Sequence, residues 1–440
     1  MLWRNDAAPR REAVPRRQWG RREWSTVVLI VVGFILVMQA AASVYDLRGP
    51  VLLIGDDLVG VAGGTEVKIA GMALALMCMP ARLRLPFIGV VVAVESVFNA
   101  QRLIVGNTLH LGNGVMWGLI ALAVYALAVS TGAEREKALK AVGIAAILIV
   151  TSRVAGVWLG LTEETLPEVA DHFVEVADRA LGSPSWVMGR FVEDTPWFRS
   201  LISQVYNYLS VGAAIVAFFQ LRRSSVDGFP RHHIVRSFIV IGALGPLVYF
   251  LFPVVGPVFA FGDELPGAGW LDVWPHTVPT SLEPVSAFFS QDAPRNCMPS
   301  LHTAWATAIL VHALRGPRLL KVYGVFWFVC TLSATLGLGY HYGVDLIAGL
   351  VFALTVECAL ARPQDGWHRL RVAAVAGGAA AFAVLLAAFR YLSVPMAQNA
   401  VVSTILMLGS VAAMTYCYVR ISRTPVDVPA TPVEEGASTP

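Results

Sequence analysis

Residues 340–361 read YHYGVDLIAGLVFALTVECALA. From Tyr342 onward the run is long enough to cross a bilayer, whose hydrocarbon core takes about 20 mostly apolar residues of helix. Only Asp345 and Glu357 carry charge within it. Glu357 lies near one end, where a long side chain is expected to snorkel toward water. Asp345 sits one turn in from the other end, where an ionisable group is costly unless paired or functional. It follows His341 by four residues, so on a helix the two share one face. The run therefore predicts a membrane helix that carries chemistry at one end.

The rest of the chain fits that reading. Of its 440 residues 56% are hydrophobic and 14% charged, against about 25% charged in soluble domains. Twelve segments qualify as spans: 25–47, 58–80, 86–105, 109–130, 138–160, 199–221, 234–255, 299–314, 319–339, 342–361, 370–391 and 399–420. The 299–314 segment is short, and 58–80 holds Glu66 and Lys68. The fold class is thus an all-α polytopic membrane protein of about twelve helices. Lys and Arg concentrate on the cytoplasmic side of membrane proteins. With the N-terminus inside, most of the 33 basic residues fall in inner segments, among them Arg82, Arg135, Arg222, Arg315 and Arg369. Both termini are then cytoplasmic, and His302 and His341 face outward. The membrane expected is the plasma membrane of a bacterium. A net charge of +3 gives no reason for a nucleic-acid partner.

The organisation expected is an Arg-rich N-terminus (1–24), N-terminal membrane helices (25–137), a catalytic core (138–361), C-terminal membrane helices (362–421) and a disordered tail (422–440). Two outer segments are long. In 161–198, apolar residues such as Phe173 and Ala177 recur at helical spacing, opposite Glu168, Asp171, Glu175 and Asp178. Its acidity suits a helix packed on protein, as a lid, or a solvated connector, better than a membrane-surface helix, which is usually basic. In 256–298, Val285–Phe289 is short and apolar enough to re-enter the membrane. Five scattered cysteines form no metal or disulfide pattern. His232, His233, His312 and His368 have structural readings. Glu95 is expected to be neutralised by Arg102 and Arg153 in a structural network.

A second histidine completes the chemistry. Asn296-Cys297-Met298-Pro299-Ser300-Leu301-His302 opens the eighth span, and Tyr340-His341-Tyr342-Gly343-Val344-Asp345 opens the tenth. The topology places both at the outer boundary. Asp345 can take the Nδ1 proton of His341, which leaves Nε2 as a nucleophile. His302 can act as general acid on a leaving oxygen. The bland alternative is a His–Asp pair that staples two helices.

The blocks MPSLHTAW (298–305) and GYHYGVDLIAG (339–349) resemble the type-2 phosphatidic acid phosphatase superfamily. They are closest to its inositolphosphotransferase branch of aureobasidin-resistance type, which is related to sphingomyelin synthases. Phe252-Pro253-Val254-Val255-Gly256-Pro257 resembles that branch's earlier proline block, with glycine for one proline. The likeness covers about 199–361. It implies an embedded six-helix core, a phospho-histidine on His341 supported by Asp345, protonation of the leaving group by His302, and no metal or cofactor. Other members carry an Arg six residues before the second histidine, where this chain has Thr335. They also carry a Lys-and-Arg-Pro block that is absent here. The transferase branch often lacks both, so the departures favour a transferase over a phosphatase. Arg295 is the candidate phosphate clamp, since Arg grips phosphate oxygens with a two-pronged fork; its plain alternative is an interfacial anchor. Ser300, Tyr340 and Tyr342 complete the expected substrate-binding set. The partners implied are a membrane lipid donor and a lipid or glycan hydroxyl acceptor. The competing functions are a lipid-phosphate phosphatase and, in another class, a transporter or scaffold with an inactive core.

Overall fold

The computed structural model describes residues 21–60, 64–223, 232–262, 275–289, 293–361 and 366–423. Most of the Arg-rich N-terminus and nearly all of the predicted tail lie outside the described residues. The chain is nearly all helical. An N-terminal group comprises α1 (Arg21–Val44), α2 (Pro50–Val59), α3 (Thr65–Cys78), α4 (Ala81–Ile104), α5 (Asn113–Ala128) and α6 (Gly132–Thr165). There follow α7 (Asp171–Asp178), a 3-10 turn at Arg179–Leu181, α8 (Pro184–Glu193), α9 (Pro196–Asn207), α10 (Leu209–Arg223), α11 (Ile234–Tyr249) and α12 (Pro257–Ala260). Next come α13 (Leu301–Ala313), α14 (Arg318–Gly337) and α15 (Gly343–Leu360), and last α16 (Arg369–Tyr391), α17 (Ser393–Gln398) and α18 (Ala400–Arg423).

Six helices among the described residues are long and apolar enough to span a membrane: α4, α6, α14, α15, α16 and the 400–422 stretch of α18. Counting the bent α9–α10 pair as one span makes seven. α5, α11 and the Val31–Val44 part of α1 are shorter apolar helices. This is the make-up of an integral membrane protein.

α15 is the axis of the core. Buried residues make up 83% of its span window, against 17% in α4, α6 and α18. Small residues permit the close approach that membrane helices need. A Cβ on Gly349 of α15 would lie 2.6 Å from the Ser300 carbonyl, and one on Gly324 of α14 would lie 2.4 Å from the Ala313 methyl. α13 therefore packs tightly on both α15 and α14. The N-terminal group joins this core through α3 on α10 and α6 on α11.

Two expected elements differ. The 234–255 span stops at Tyr249. Pro253 and Pro257 end regular helix here, and Gly256 takes φ +101° with its Cα face against the Tyr340 carbonyl, a backbone that suits glycine. Val285–Phe289 does not form a re-entrant helix. Ala287–Phe288 is a strand, β2, paired antiparallel with β1, Glu168–Val169. The acidic segment is, as expected, a helix packed on protein and not a solvated connector: α7 lies against α15, α16 and α17, with Asp171, Val174, Ala177 and Asp178 all buried.

Candidate active site

α13 and α15 are neighbours, and their N-terminal ends bring His302 and His341 together with ring centroids 6.5 Å apart. The two sequence blocks are also tied directly, since Ser300 N donates to the Asp345 carbonyl at 3.2 Å.

His341 lies on the link between α14 and α15. Its backbone N donates to Thr335 O at 3.0 Å. Its Nδ1 is 3.0 Å from the Cys297 carbonyl and 3.5 Å from Asp345 Oδ2. The nearer acceptor for the Nδ1 proton is thus a backbone carbonyl, with Asp345 as a second, longer contact. Asp345 Oδ2 is taken up by Tyr342 N at 2.7 Å and by the Cys297 thiol at 2.6 Å. The carboxylate caps the first turn of α15, where the helix dipole favours negative charge. Its Oδ1 has no hydrogen-bond partner among the described residues. With Nδ1 engaged, Nε2 is the free nitrogen of His341.

His302 occupies the first turn of α13, capped by Ser300, whose Oγ accepts from Thr303 N at 3.3 Å. Its imidazole stacks on Tyr206 at 3.9 Å and meets Trp305 edge-on at 6.0 Å. Neither ring nitrogen hydrogen-bonds to a described residue. Aromatic walls fix the ring and leave both nitrogens to a ligand.

Both histidines line a cavity of about 580 Å³, together with Tyr206, Asn296, Trp305 and Tyr340. Of the four expected substrate-binding residues, only Tyr340 lines it. Arg295 requires correction. It is 2% exposed, and its guanidinium donates to the carbonyls of Leu166 (3.1 Å), Ala293 (2.6 Å) and Phe289 (2.9 Å). A fork occupied by three carbonyls ties Phe289 and Ala293 to Leu166 and does not clamp a phosphate. Ser300 is a buried helix cap. Tyr342 is buried, with its hydroxyl on Asp171 Oδ1 at 2.8 Å.

That last contact shows what the acidic helix does. Asp171 accepts from Val255 N (3.0 Å) and Gly256 N (2.8 Å) as well as from Tyr342. Asp178 accepts from Val344 N at 2.9 Å. α7 thus braces the FPVVGP loop and the N-terminus of α15 at once, which fixes His341 between them. Burial pushes the Asp171 carboxyl up to about 7, against the pull of its three hydrogen bonds. Burial likewise holds Asp178 well above the usual carboxylate range. Sequence reasoning missed both; the only signal was the acidic face of 168–178. It also missed Cys297, whose buried thiol is pushed up by desolvation and by the neighbouring Asp345 and Asp171.

Two groups of residues among those described have metal-ligand chemistry: Cys297, His341 and Asp345, and His232, His312 and Glu357. Glu357 does not snorkel: it is fully buried, 2.7 Å from His232 Nε2 and 3.3 Å from His312 Nε2. Arg315 lies 2.8 Å from His232 Nδ1. Gln220 Nε2 lies 2.8 Å from His312 Nδ1, and its Oε1 already accepts from Ile234 N. Both Nδ1 atoms therefore accept; His232 Nε2–H donates to the carboxylate, while His312 Nε2 hydrogen-bonds to Ser237 Oγ at 3.1 Å and lies beside the second carboxylate oxygen. Glu357 Oε1 has no hydrogen-bond partner among the described residues. The Glu95 network also differs from expectation. Arg153 pairs with Asp57 at 2.6 Å, beside buried Lys68 at 2.6 Å. Glu95 accepts from Gly112 N and Gly114 N, with Arg102 at 4.0 Å.

Residues 172–359 match the family model described as the PAP2 superfamily. Residues 22–161 match one described as a domain of unknown function, DUF5933. No curated protein and no solved structure matches the chain. The matched PAP2 region begins at α7, so it takes in the bracing helix as well as both histidine blocks.

Proposed function

We propose that this chain is a membrane-embedded phosphotransferase that moves a phospho-headgroup from a lipid donor to a hydroxyl acceptor at the non-cytoplasmic face, through a phospho-histidine on His341. The PAP2 superfamily domain at 172–359 supports the broader class of lipid-phosphate phosphatases and phosphotransferases. The observation that carries the finer reading is the pair of imidazoles 6.5 Å apart on one cavity, one with Nδ1 engaged and the other with both nitrogens free. That spacing suits one phosphoryl group between the rings.

In the first step His341 Nε2 attacks phosphorus, and the N–P bond forms as the bond to the lipid oxygen breaks. That oxygen takes a proton from His302 and leaves as an alcohol. In the second step the acceptor hydroxyl gives its proton to His302 and attacks phosphorus, and the electron pair of the N–P bond returns to Nε2. The imidazolium-like charge that develops on His341 is met by the Cys297 carbonyl and Asp345, the orienting logic of a catalytic triad. The N-terminus of α13, at His302, contributes positive potential toward the phosphoryl oxygens. Thr335 in the place of the usual Arg favours a transferase of the inositolphosphotransferase type over a hydrolase.

The same reading takes all twelve segments as membrane-crossing and both termini as cytoplasmic, with 138–361 as the catalytic core between N-terminal (25–137) and C-terminal (362–421) helices. The test is chemical. Purified protein treated with labelled phosphate-ester donor should carry a phosphoryl label that is stable in base and lost in acid, as a phosphoramidate is. His341→Ala should carry none and show no turnover. Full activity in His341→Ala would reject the mechanism.

A further inference from the structure

The catalytic cavity is not walled by the core alone. Glu66 and Val67 of α3, and Thr151 and Ser152 of α6, line it opposite the histidines. These residues belong to the 22–161 region that matches only a domain of unknown function. Among the described residues the carboxylate of Glu66 has no ion pair or hydrogen bond, and the side chains of Thr151, Ser152, Asn207 and Asn296 have no hydrogen bond. The buried carboxylates Asp57, Glu95, Asp345 and Glu357 each have at least one oxygen held by protein groups: Asp57 by Lys68 and Arg153, Glu95 by Gly112 N and Gly114 N, Asp345 by Tyr342 N, and Glu357 by His232. Polar groups left unpaired in such a setting mark a site where something else supplies the partner.

We infer that the N-terminal helices build an acceptor-binding wall, on which Glu66, Thr151 and Ser152 hold a polyhydroxyl acceptor, a sugar or cyclitol ring, with one hydroxyl aimed at the phosphorylated His341. The inference rests on the phosphotransferase reading above. The lining holds no Lys or Arg, so an anionic acceptor gains nothing there. It offers a carboxylate, hydroxyls and amides, which together accept from and donate to a ring of hydroxyls. Tyr206, Trp305 and Tyr340 add apolar faces for the ring's C–H surface. A quaternary ammonium would use the carboxylate and the aromatic rings but would leave Thr151, Ser152, Asn207 and Asn296 unpaired. A cavity of about 580 Å³ is in the usual range for such ligands, about 300–1,000 Å³.

The experiment uses full-length protein, p-nitrophenyl phosphate as donor, and myo-inositol, glycerol, choline and 1-propanol as competing acceptors at equal concentration. The readout is the ratio of phosphorylated acceptor to inorganic phosphate within each preparation, which does not depend on how much protein is folded. Wild type should favour the two polyols over 1-propanol and choline. Glu66→Gln should lower the polyol ratio about tenfold, the loss of about 1.4 kcal/mol of differential binding. Glu66→Asp should restore part of it, and Glu136→Gln, on the exposed part of α6, should match wild type. An unchanged ratio in Glu66→Gln overturns the inference, as does preference for choline or equal use of 1-propanol. If wild type releases p-nitrophenol no faster than His341→Ala, the phosphotransferase reading itself fails. Calorimetric binding of myo-inositol to the His341→Ala protein then decides the wall separately: about tenfold weaker binding with Glu66→Gln added sustains it, and no binding overturns it.

Discussion

Asp171→Asn tests whether α7 sets the geometry of His341. The carboxylate takes three hydrogen bonds, from Val255 N, Gly256 N and the Tyr342 hydroxyl. Asparagine keeps one acceptor oxygen, enough for the two donors that share Oδ1. Its NH2 then replaces Oδ2 and faces the Val255 N–H, donor against donor, in a fully buried site. A buried donor left unpaired costs about 1–3 kcal/mol. The wild-type carboxyl, held at about 7 against an ordinary value of 3.8, binds its proton more tightly folded than unfolded. Its contribution to stability is complete below pH 4 and is lost as pH rises toward 7, at about 1.4 kcal/mol per unit in that window. Asp178 acts with the same sign. The variant should therefore be destabilised at pH 5 by about 1–3 kcal/mol, and its stability should fall between pH 5 and 7 with a slope shallower than wild type by about one proton. Chemical unfolding in detergent at several pH values measures both. Because Tyr342 adjoins His341, turnover should also drop by about ten- to a hundredfold, the cost of a small misplacement. A wild-type pH slope in Asp171→Asn, or full turnover, would refute the bracing role.

The remaining predictions address the chemistry, the inner network and the topology. His341→Ala should abolish turnover, whereas Asp345→Asn should leave a measurable residue, because the Cys297 carbonyl still holds Nδ1; equal losses in steady-state kinetics would place Asp345 in a more direct role. His302→Ala should cut turnover of a lipid donor severely but that of p-nitrophenyl phosphate far less, since an activated aryl group departs without a proton; equal losses would remove the acid assignment. Glu357→Ala strands the Nε2–H of His232 and should cost about 1–3 kcal/mol in unfolding assays; a near-neutral result would mean the cluster is not a structural tie. A cysteine at exposed Glu283 should react with an impermeant thiol reagent on intact cells, while Cys297, buried and with its thiol pushed up, stays unlabelled without replacement. Labelling at 283 only after lysis would invert the topology.

Local spacing made part of the site legible. Four residues separate His341 from Asp345 and put them on one helical face, and the shared membrane level of two spans brought His302 beside them. What spacing cannot express is the contact made by a distant loop. The Cys297 carbonyl became the nearest partner of His341 Nδ1 because the 293–300 loop folds across the end of α15. Arg295 was read as a phosphate clamp because its charge is visible in the sequence, whereas the three carbonyls that occupy it come from Leu166, Ala293 and Phe289. The acidity of Asp171 and Asp178 suits a helix packed on protein or a solvated connector; spacing does not say that they meet the N–H groups of Val255, Gly256 and Val344.

The charged residues inside apolar segments make the same point most sharply. Glu66, Glu95, Asp345 and Glu357 are each an acid in a stretch that should exclude one, and Asp57 lies one residue before such a stretch. Folding sends them to different ends. Asp57 is neutralised by Lys68 and Arg153, Glu95 accepts from two glycine N–H groups with Arg102 nearby, and Glu357 is bonded to His232 with His312 beside it. Asp345 caps the helix that presents His341. Glu66 alone of these five reaches the catalytic cavity with its carboxylate unpaired among the described residues. In sequence its acidity only weakened the case for a span. With at least one oxygen of each of the other four held by protein groups, the same acidity becomes the strongest reason to look for a ligand on the wall that the N-terminal helices supply.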